Sequence, residues 1–268
     1  MTAAKRKSDL AVRAGTGVLL IAVAAVALWL GGIAFWVLCT VGALFMMAEW
    51  ADLAATGARA DARNKRVAQF ALSVPLATMA PASLIIEVHY FFTLGLLAGA
   101  AFFTVIVTRQ PRLASGIVYC GLPVLSLVFL RRADHGLLFA FWTLALVWAC
   151  DIGAYFSGRS IGGPKLAPAI SPNKTWAGLA GGVVAAGLFA MLLHVQFGLP
   201  WRMTLATPVL AVVAQGGDLY ESWLKRRAGV KDSGNILPGH GGVLDRLDGL
   251  VPIAPLAALL LILPRFYA

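Results

Sequence analysis

The feature that most constrains this chain is the recurrence of apolar runs about as long as a bilayer is thick. They cover 11–30, 33–50, 67–86, 90–108, 113–130, 136–157, 176–197 and 203–224, with a shorter run over 250–263. A helix needs about 20 apolar residues to cross the hydrocarbon layer, where every backbone polar group must be paired internally. The pattern therefore predicts an all-α polytopic integral membrane protein with about nine transmembrane helices. The chain reads as a single membrane-embedded domain over 1–268, with N-terminal spans in 1–135 and the polar, chemistry-bearing loops among the spans of 136–268. Composition agrees: the 268 residues are 60% hydrophobic and 13% charged, whereas a soluble domain carries about a quarter charged residues.

The net charge of +10 would suit nucleic acid if it formed one continuous face. Instead it sits in short clusters between runs: Lys5, Arg6 and Lys7, then Arg59, Arg63, Lys65 and Arg66, then Arg109 and Arg112. Such clusters orient helices and attract anionic head groups, so no nucleic-acid partner is expected. Cys39, Cys120 and Cys150 lie inside apolar runs without a CxxC spacing, which predicts neither disulfide nor metal site. The N-terminus lacks a short apolar region with a small-residue cleavage site, and the first run is read as a retained anchor behind a frayed basic tail.

Several details refine the spans. Gly31 and Gly32 divide the first two, and Glu49 ends the second at an expected interfacial position. The polar 51–66 stretch reads as a cytoplasmic loop. Pro75 and Pro81 predict a kink in the third span. Glu87 and His89 fit an external loop, and His89 and His194 read as interfacial. Alternation also places Arg131, Arg132, Asp134 and His135 outside, in conflict with the positive-inside tendency. Asp151 lies deep in the sixth run, where an acid is costly and needs a polar partner. Gly178, Gly181, Gly182 and Gly187 thin the seventh span for close helix packing.

The densest gathering of charge and glycine is 222–248, SWLKRRAGVKDSGNILPGHGGVLDRLD. Just upstream, QGGDLYE adds Asp218 and Glu221, and helical spacing puts Asp218, Glu221, Ser222 and Lys225 on one face. A basic loop alone signals only topology. Orientation, however, has no use for Asp232, Asp245, Asp248, His240 and a PGHGG turn. Cations and donors hold polyphosphate, carboxylates hold the accompanying Mg²⁺, and glycines let main-chain N–H groups approach an anion. In the 158–174 loop, Lys174 precedes the seventh span, whose N-terminus would be capped by Ser171 or Thr175 and would offer an anion site.

The spacing Ser222, Lys225, Arg226, Lys231, Asp232, Leu237, Pro238, His240, Gly241, Gly242, Asp245, Arg246, Asp248 resembles the signature of the phosphatidate cytidylyltransferases. A second block is similar to that family at Asp151, Ala154, Tyr155, Gly158, Arg159, Gly162, Lys165, Pro168, Ile170, Ser171, Pro172, Lys174, Thr175 and Gly178. One departure is Ala177, which stands where the family pattern has Glu. The motifs cover roughly the C-terminal half.

The resemblance implies transfer of a cytidylyl group from CTP to phosphatidic acid, giving CDP-diacylglycerol and pyrophosphate with Mg²⁺ as cofactor. On that reaction the metal is assigned to Asp218 and Asp245, with Asp248 as a third or supporting carboxylate. Lys225, Arg226, Lys231 and Arg246 are candidates for phosphate charge, with Ser222 on the same face of the eighth run. Lys174 and Ser171 would hold phosphate from the other loop. His240 is read either as a donor to phosphate or leaving pyrophosphate, or as a turn-stabilising residue; Asp232 pairs with Lys231, and Glu221 and Tyr155 have structural readings of equal weight. Alternation puts both loops on the cytoplasmic side of a bacterial-type inner membrane. A homodimer is implied by the resemblance alone. Competing readings are a transporter using Asp151 and Asp218 as ion sites, a scaffold, and an ATP-dependent lipid kinase.

Overall fold

The computed structural model describes residues 3–55, 60–81, 90–237, 239 and 241–263, with side chains from Gly15 onward. Ten helices and one hairpin appear there: α1 (Ala3–Leu30), α2 (Gly32–Ala54), α3 (Ala62–Ala77), α4 (Tyr90–Thr108), α5 (Pro111–Arg132), α6 (Gly136–Ser160), β1 (Lys165–Ala167), β2 (Ser171–Thr175), α7 (Trp176–Phe197), α8 (Trp201–Arg227), α9 (Leu244–Leu247) and α10 (Leu250–Ile262). The apolar runs fall on α1 to α8 and α10, the third only as far as Ala77 and the last on a short helix of 13 residues. Five of them, α2, α4, α5, α6 and α7, are long and apolar enough to cross a membrane, which makes the chain an integral membrane protein built of helices. Isoleucine, valine, leucine and phenylalanine cover much of their outer faces, as at Val184, Leu188, Phe102 and Ile106.

Three boundaries differ from expectation for local reasons. The helix of the first run reaches back to Ala3, through the stretch read as a frayed tail. The third run begins its helix five residues early, because Asp61 caps it by accepting from Arg63 N, and ends at Ala77 beyond Pro75. Its start is further tied by the Lys65–Asp52 ion pair. The Glu87–His89 loop lies outside the described residues. The 158–174 loop is not irregular: β1 and β2 pair antiparallel, Lys165 opposite Thr175 and Ala167 opposite Ser171. Arg131 and Arg132 occupy the last turn of α5, where cations complement the unpaired carbonyls. Their presence there has a local electrostatic reason besides topology.

The chain divides into two compact units. One comprises 1–128 with 227–247, the other 129–226 with 248–268. In the first, α2 is pinned to its neighbours by tryptophans: Trp36 Nε1 donates to Leu76 O at 2.9 Å and Trp50 Nε1 to Arg112 O at 2.8 Å. Trp50 also stacks at a tilt on Tyr119, with centroids 4.5 Å apart, and Gly116 leaves the room its indole fills.

The second unit is built on glycine contacts. A Cβ on Gly178 would lie 3.0 Å from Ala154 O, and one on Gly182 would lie 2.8 Å from Cys150 O. These small residues bring the backbones of α6 and α7 together, as their spacing predicts. Buried Cys150, Ala186 and Ala211 join α6, α7 and α8, and Trp142 Nε1 donates to Thr207 Oγ1 at 3.0 Å. Gly217 of α8 faces Asp248 O and Pro252, with a virtual Cβ 2.5 Å and 2.7 Å away. The turn carrying Asp248 therefore packs on the polar end of α8.

Candidate active site

In the second unit the polar residues of α6, β2, α8 and the 248 turn form one chain of contacts. Lys174, at the end of β2, pairs with Asp218 and donates to Gln215 Oε1 at 3.0 Å. Gln215 passes the link on, its Nε2 donating to Asp151 Oδ1 at 3.1 Å. The polar partner that Asp151 required in an apolar run is thus Gln215. One turn along α8, Ser222 Oγ donates to Asp218 Oδ1 at 3.3 Å. Fully buried Glu221 takes Lys225 at 3.5 Å through the i,i+4 relation, which favours the helix-pairing reading of Glu221 and ties down one predicted phosphate cation.

Asp248 completes the group. Its Oδ1 accepts from Gly249 N at 2.7 Å, yet its carboxyl is pushed up to about 6, by burial first and then by the negative charge of Asp218. A hydrogen bond to Glu221 and the Gly249 N–H act in the opposite direction, and Asp151 adds a smaller upward push. Four acids, Asp151, Asp218, Glu221 and Asp248, thus meet two ammonium groups, Lys174 and Lys225. Excess carboxylate of this kind is what a hard divalent cation relieves, and Mg²⁺ typically takes one or two carboxylates, leaving other places to waters and phosphate. Asp218 and Asp248 are oxygen donors of the type that ion takes.

In the first unit the picture is different. Asp245 Oδ2 accepts from Ser233 N at 2.8 Å, Ser233 Oγ at 3.0 Å and Gly242 N at 2.8 Å. Glu49, expected at an interface, is instead 3% exposed and accepts from Val243 N at 2.9 Å and Leu244 N at 2.8 Å. The main-chain N–H groups of the glycine turn do approach anions, but these anions are the protein's own carboxylates. Gly241, with φ 80°, makes the turn possible, and Leu237 N closes it on Gly241 O at 3.0 Å.

Among the described residues no group of three or more His, Cys, Asp or Glu is gathered as a metal site. Asp218 and Asp248 influence each other within the second unit, and Asp245 accepts from its own loop in the first. Of the other predicted residues, Thr175 rather than Ser171 caps α7, accepting from Gly178 N at 3.0 Å, while Ser171 sits on β2 opposite Ala167. Arg226, Lys231, Asp232 and Arg246 are exposed. Arg159 Nη1 donates to Tyr155 Oη at 2.7 Å, an exposed pair. His240 and Pro238 lie outside the described residues. Sequence reasoning missed Gln215 and Glu49 as network members. Their signal was a polar side chain inside an apolar run, where it needs a partner.

A sequence model of the Cytidylyltransferase family matches residues 11–263. This chain belongs to the cytidylyltransferase family. The match takes in both units and every residue of the two networks. Among its relatives, the phosphatidate cytidylyltransferase of Brucella suis biovar 1 (strain 1330) is 41% identical over 258 residues, 93% of this chain and 92% of the relative. That of Rickettsia felis is 36% identical over 178 residues, 62% of this chain and 78% of the relative. The phosphatidate cytidylyltransferase of Bacillus subtilis (strain 168) is 45% identical over 150 residues, 54% of this chain and 56% of the relative.

Proposed function

We propose that this protein is a phosphatidate cytidylyltransferase: CTP and phosphatidic acid give CDP-diacylglycerol and pyrophosphate, a step of phospholipid biosynthesis. The observation that carries the reading is the acid and lysine network on α8, inside a chain similar along nearly its whole length to enzymes of that name. A lipid phosphate oxygen attacks the α-phosphorus of CTP, the new P–O bond forms, and the bond to the bridging oxygen breaks as pyrophosphate leaves. Both reactants are anionic, so the protein's task is charge neutralisation and alignment rather than proton abstraction.

Asp218 and Asp248 are the carboxylates that would hold Mg²⁺, which when bound supplies Lewis-acid polarisation of phosphate oxygens. Lys174 acts here as the counter-ion of Asp218; with a cation on that carboxylate, its ammonium would be free to hold phosphate. Lys225, Arg226, Lys231 and Arg246 supply further positive charge, and Ser171 and Ser222 supply hydroxyl donors. Thr175 fixes the start of α7 and with it the direction of Lys174. Nine spans, with these loops on the cytoplasmic side of an inner membrane, match the nucleotide's location and keep acyl chains in hydrocarbon while the head group reaches the charges. A homodimer is compatible with this arrangement.

The test is pyrophosphate release by purified protein in detergent micelles containing phosphatidic acid. Release is expected with CTP and Mg²⁺, and not with ATP or after chelation. Equal turnover of ATP, or none with CTP, would refute the proposal.

A further inference from the structure

Glu49 belongs to the first half of the chain, yet its bonding partners belong to the motif stretch nearly 200 residues later. Ser233 Oγ donates to its Oε2 at 3.0 Å, Val243 N to its Oε1 at 2.9 Å and Leu244 N to its Oε2 at 2.8 Å, separations of 184 to 195 residues. Two glycines of the 222–248 stretch leave room for this carboxylate. A Cβ on Gly234 would come within 2.7 Å of Glu49 Oε1, and one on Gly242 within 2.5 Å of Oε2. The side chain is 3% exposed, so its bonds are shielded from water.

The segment it holds has little structure of its own. Between α8 and α9 the described backbone holds turns, bends and the Leu237–Gly241 bridge but no helix or strand, and α9 is one turn of four residues. Isolated turns of helix are unstable, because too few bonds repay the ordering of the chain. The orphan N–H groups at the start of α9 must be met by something, and Glu49 meets those of Val243 and Leu244. The single hydroxyl proton of Ser233 faces both Glu49 Oε2 and Asp245 Oδ2, each at 3.0 Å. One hydroxyl thus ties the buried acid of α2 to a motif aspartate.

We infer that Glu49 is a positioning residue for the transferase reaction: it holds the 233–245 segment so that Asp245 and Arg246 keep the placement the substrates require. This inference rests on the function proposed above. It assigns no contact between Glu49 and substrate; Glu49 acts through Ser233, Val243 and Leu244.

The experiment uses the full chain in detergent micelles with phosphatidic acid, and compares wild type with Glu49→Ala, Glu49→Gln and Ser233→Ala. Two quantities are read: KM for CTP and for phosphatidic acid, and the rate of tryptic cleavage after exposed Lys231 and Arg246. With Glu49→Ala, KM for at least one substrate and the cleavage rate should each rise about ten-fold, as expected for loss of buried bonds to a charged group. Glu49→Gln should do less, because its carbonyl oxygen replaces one acceptor while its amide meets the Val243 N–H. Ser233→Ala should fall between them. If Glu49→Ala does not fold, the other two decide. Wild-type KM and wild-type cleavage, with only the amount of active enzyme or its Tm reduced, would overturn the inference. If wild type itself does not turn over CTP, the proposed function fails, and the cleavage rates alone decide whether Glu49 holds the segment.

Discussion

The two units each bury acids, but they surround them differently. Around Glu49 and Asp245 the neighbours are N–H and O–H donors: four backbone amides, Val243 and Leu244 on Glu49 and Ser233 and Gly242 on Asp245, with the single Ser233 hydroxyl facing both acids. Around Asp248 the neighbours are other acids, and its carboxyl is pushed up by burial first and then by the negative charge of Asp218, with a smaller push from Asp151, against the lowering effect of its hydrogen bond to Glu221. A carboxylate satisfied by fixed donors stabilises a conformation. One crowded by like charge destabilises the folded state until a cation arrives, and perturbation of that kind marks functional sites.

The sharpest way to break this contrast is Asp248→Asn. Because burial and Asp218 hold its carboxyl at about 6, above the ordinary 3.8, the ionised side chain costs folding free energy. That cost appears as pH rises from about 4 to about 6 and persists above it. Asparagine keeps the Gly249 bond and removes the charge, so without divalent cation at neutral pH the variant should melt higher, by about 2–4 °C per kcal/mol gained. Its turnover should nevertheless fall about 100-fold or more. A lower Tm with retained activity would place Asp248 with the structural acids.

Lys174→Gln comes next: kcat/KM for CTP should drop about 10- to 100-fold, the loss of a charge-assisted contact, measured by pyrophosphate release. Asp245→Asn should shift stability in the direction opposite to Asp248→Asn. Its amide sets a donor against the loop's donors, lowering stability by about 1–3 kcal/mol in a thermal melt. Thr175→Ala should cost about 1 kcal/mol through loss of the α7 cap, with a proportionate shift in Tm; a wild-type Tm would show that the hairpin alone fixes the helix start.

Much of this was legible in the chain. Apolar run length marked every long helix, because the requirement for internal backbone pairing leaves few other solutions, and the glycines of the seventh run announced the tight α6 and α7 contact. The spacing of Asp218, Glu221, Ser222 and Lys225 placed them on one helix face, where Ser222 meets Asp218 and Lys225 meets Glu221. The partners that come from afar were not legible. Nothing local to Glu49 indicates that its acceptors serve Val243 and Leu244, and nothing local to Gln215 says it bridges Lys174 and Asp151. The 165–175 hairpin was hidden because Pro168 and Pro172, after Gly162 and Gly163, read as loop, while the pairing that makes it a hairpin is a register between two short segments.

The central claim is that the acids of α8, offset by Lys174 and Lys225, are where the chemistry resides. The most direct measurement is CTP-dependent pyrophosphate release by purified Asp218→Asn in phosphatidic acid micelles with Mg²⁺, beside a melt showing that the variant is folded. The account predicts a fall of about 1,000-fold with a Tm at or above that of wild type. Near-wild-type release from a folded Asp218→Asn protein would contradict it.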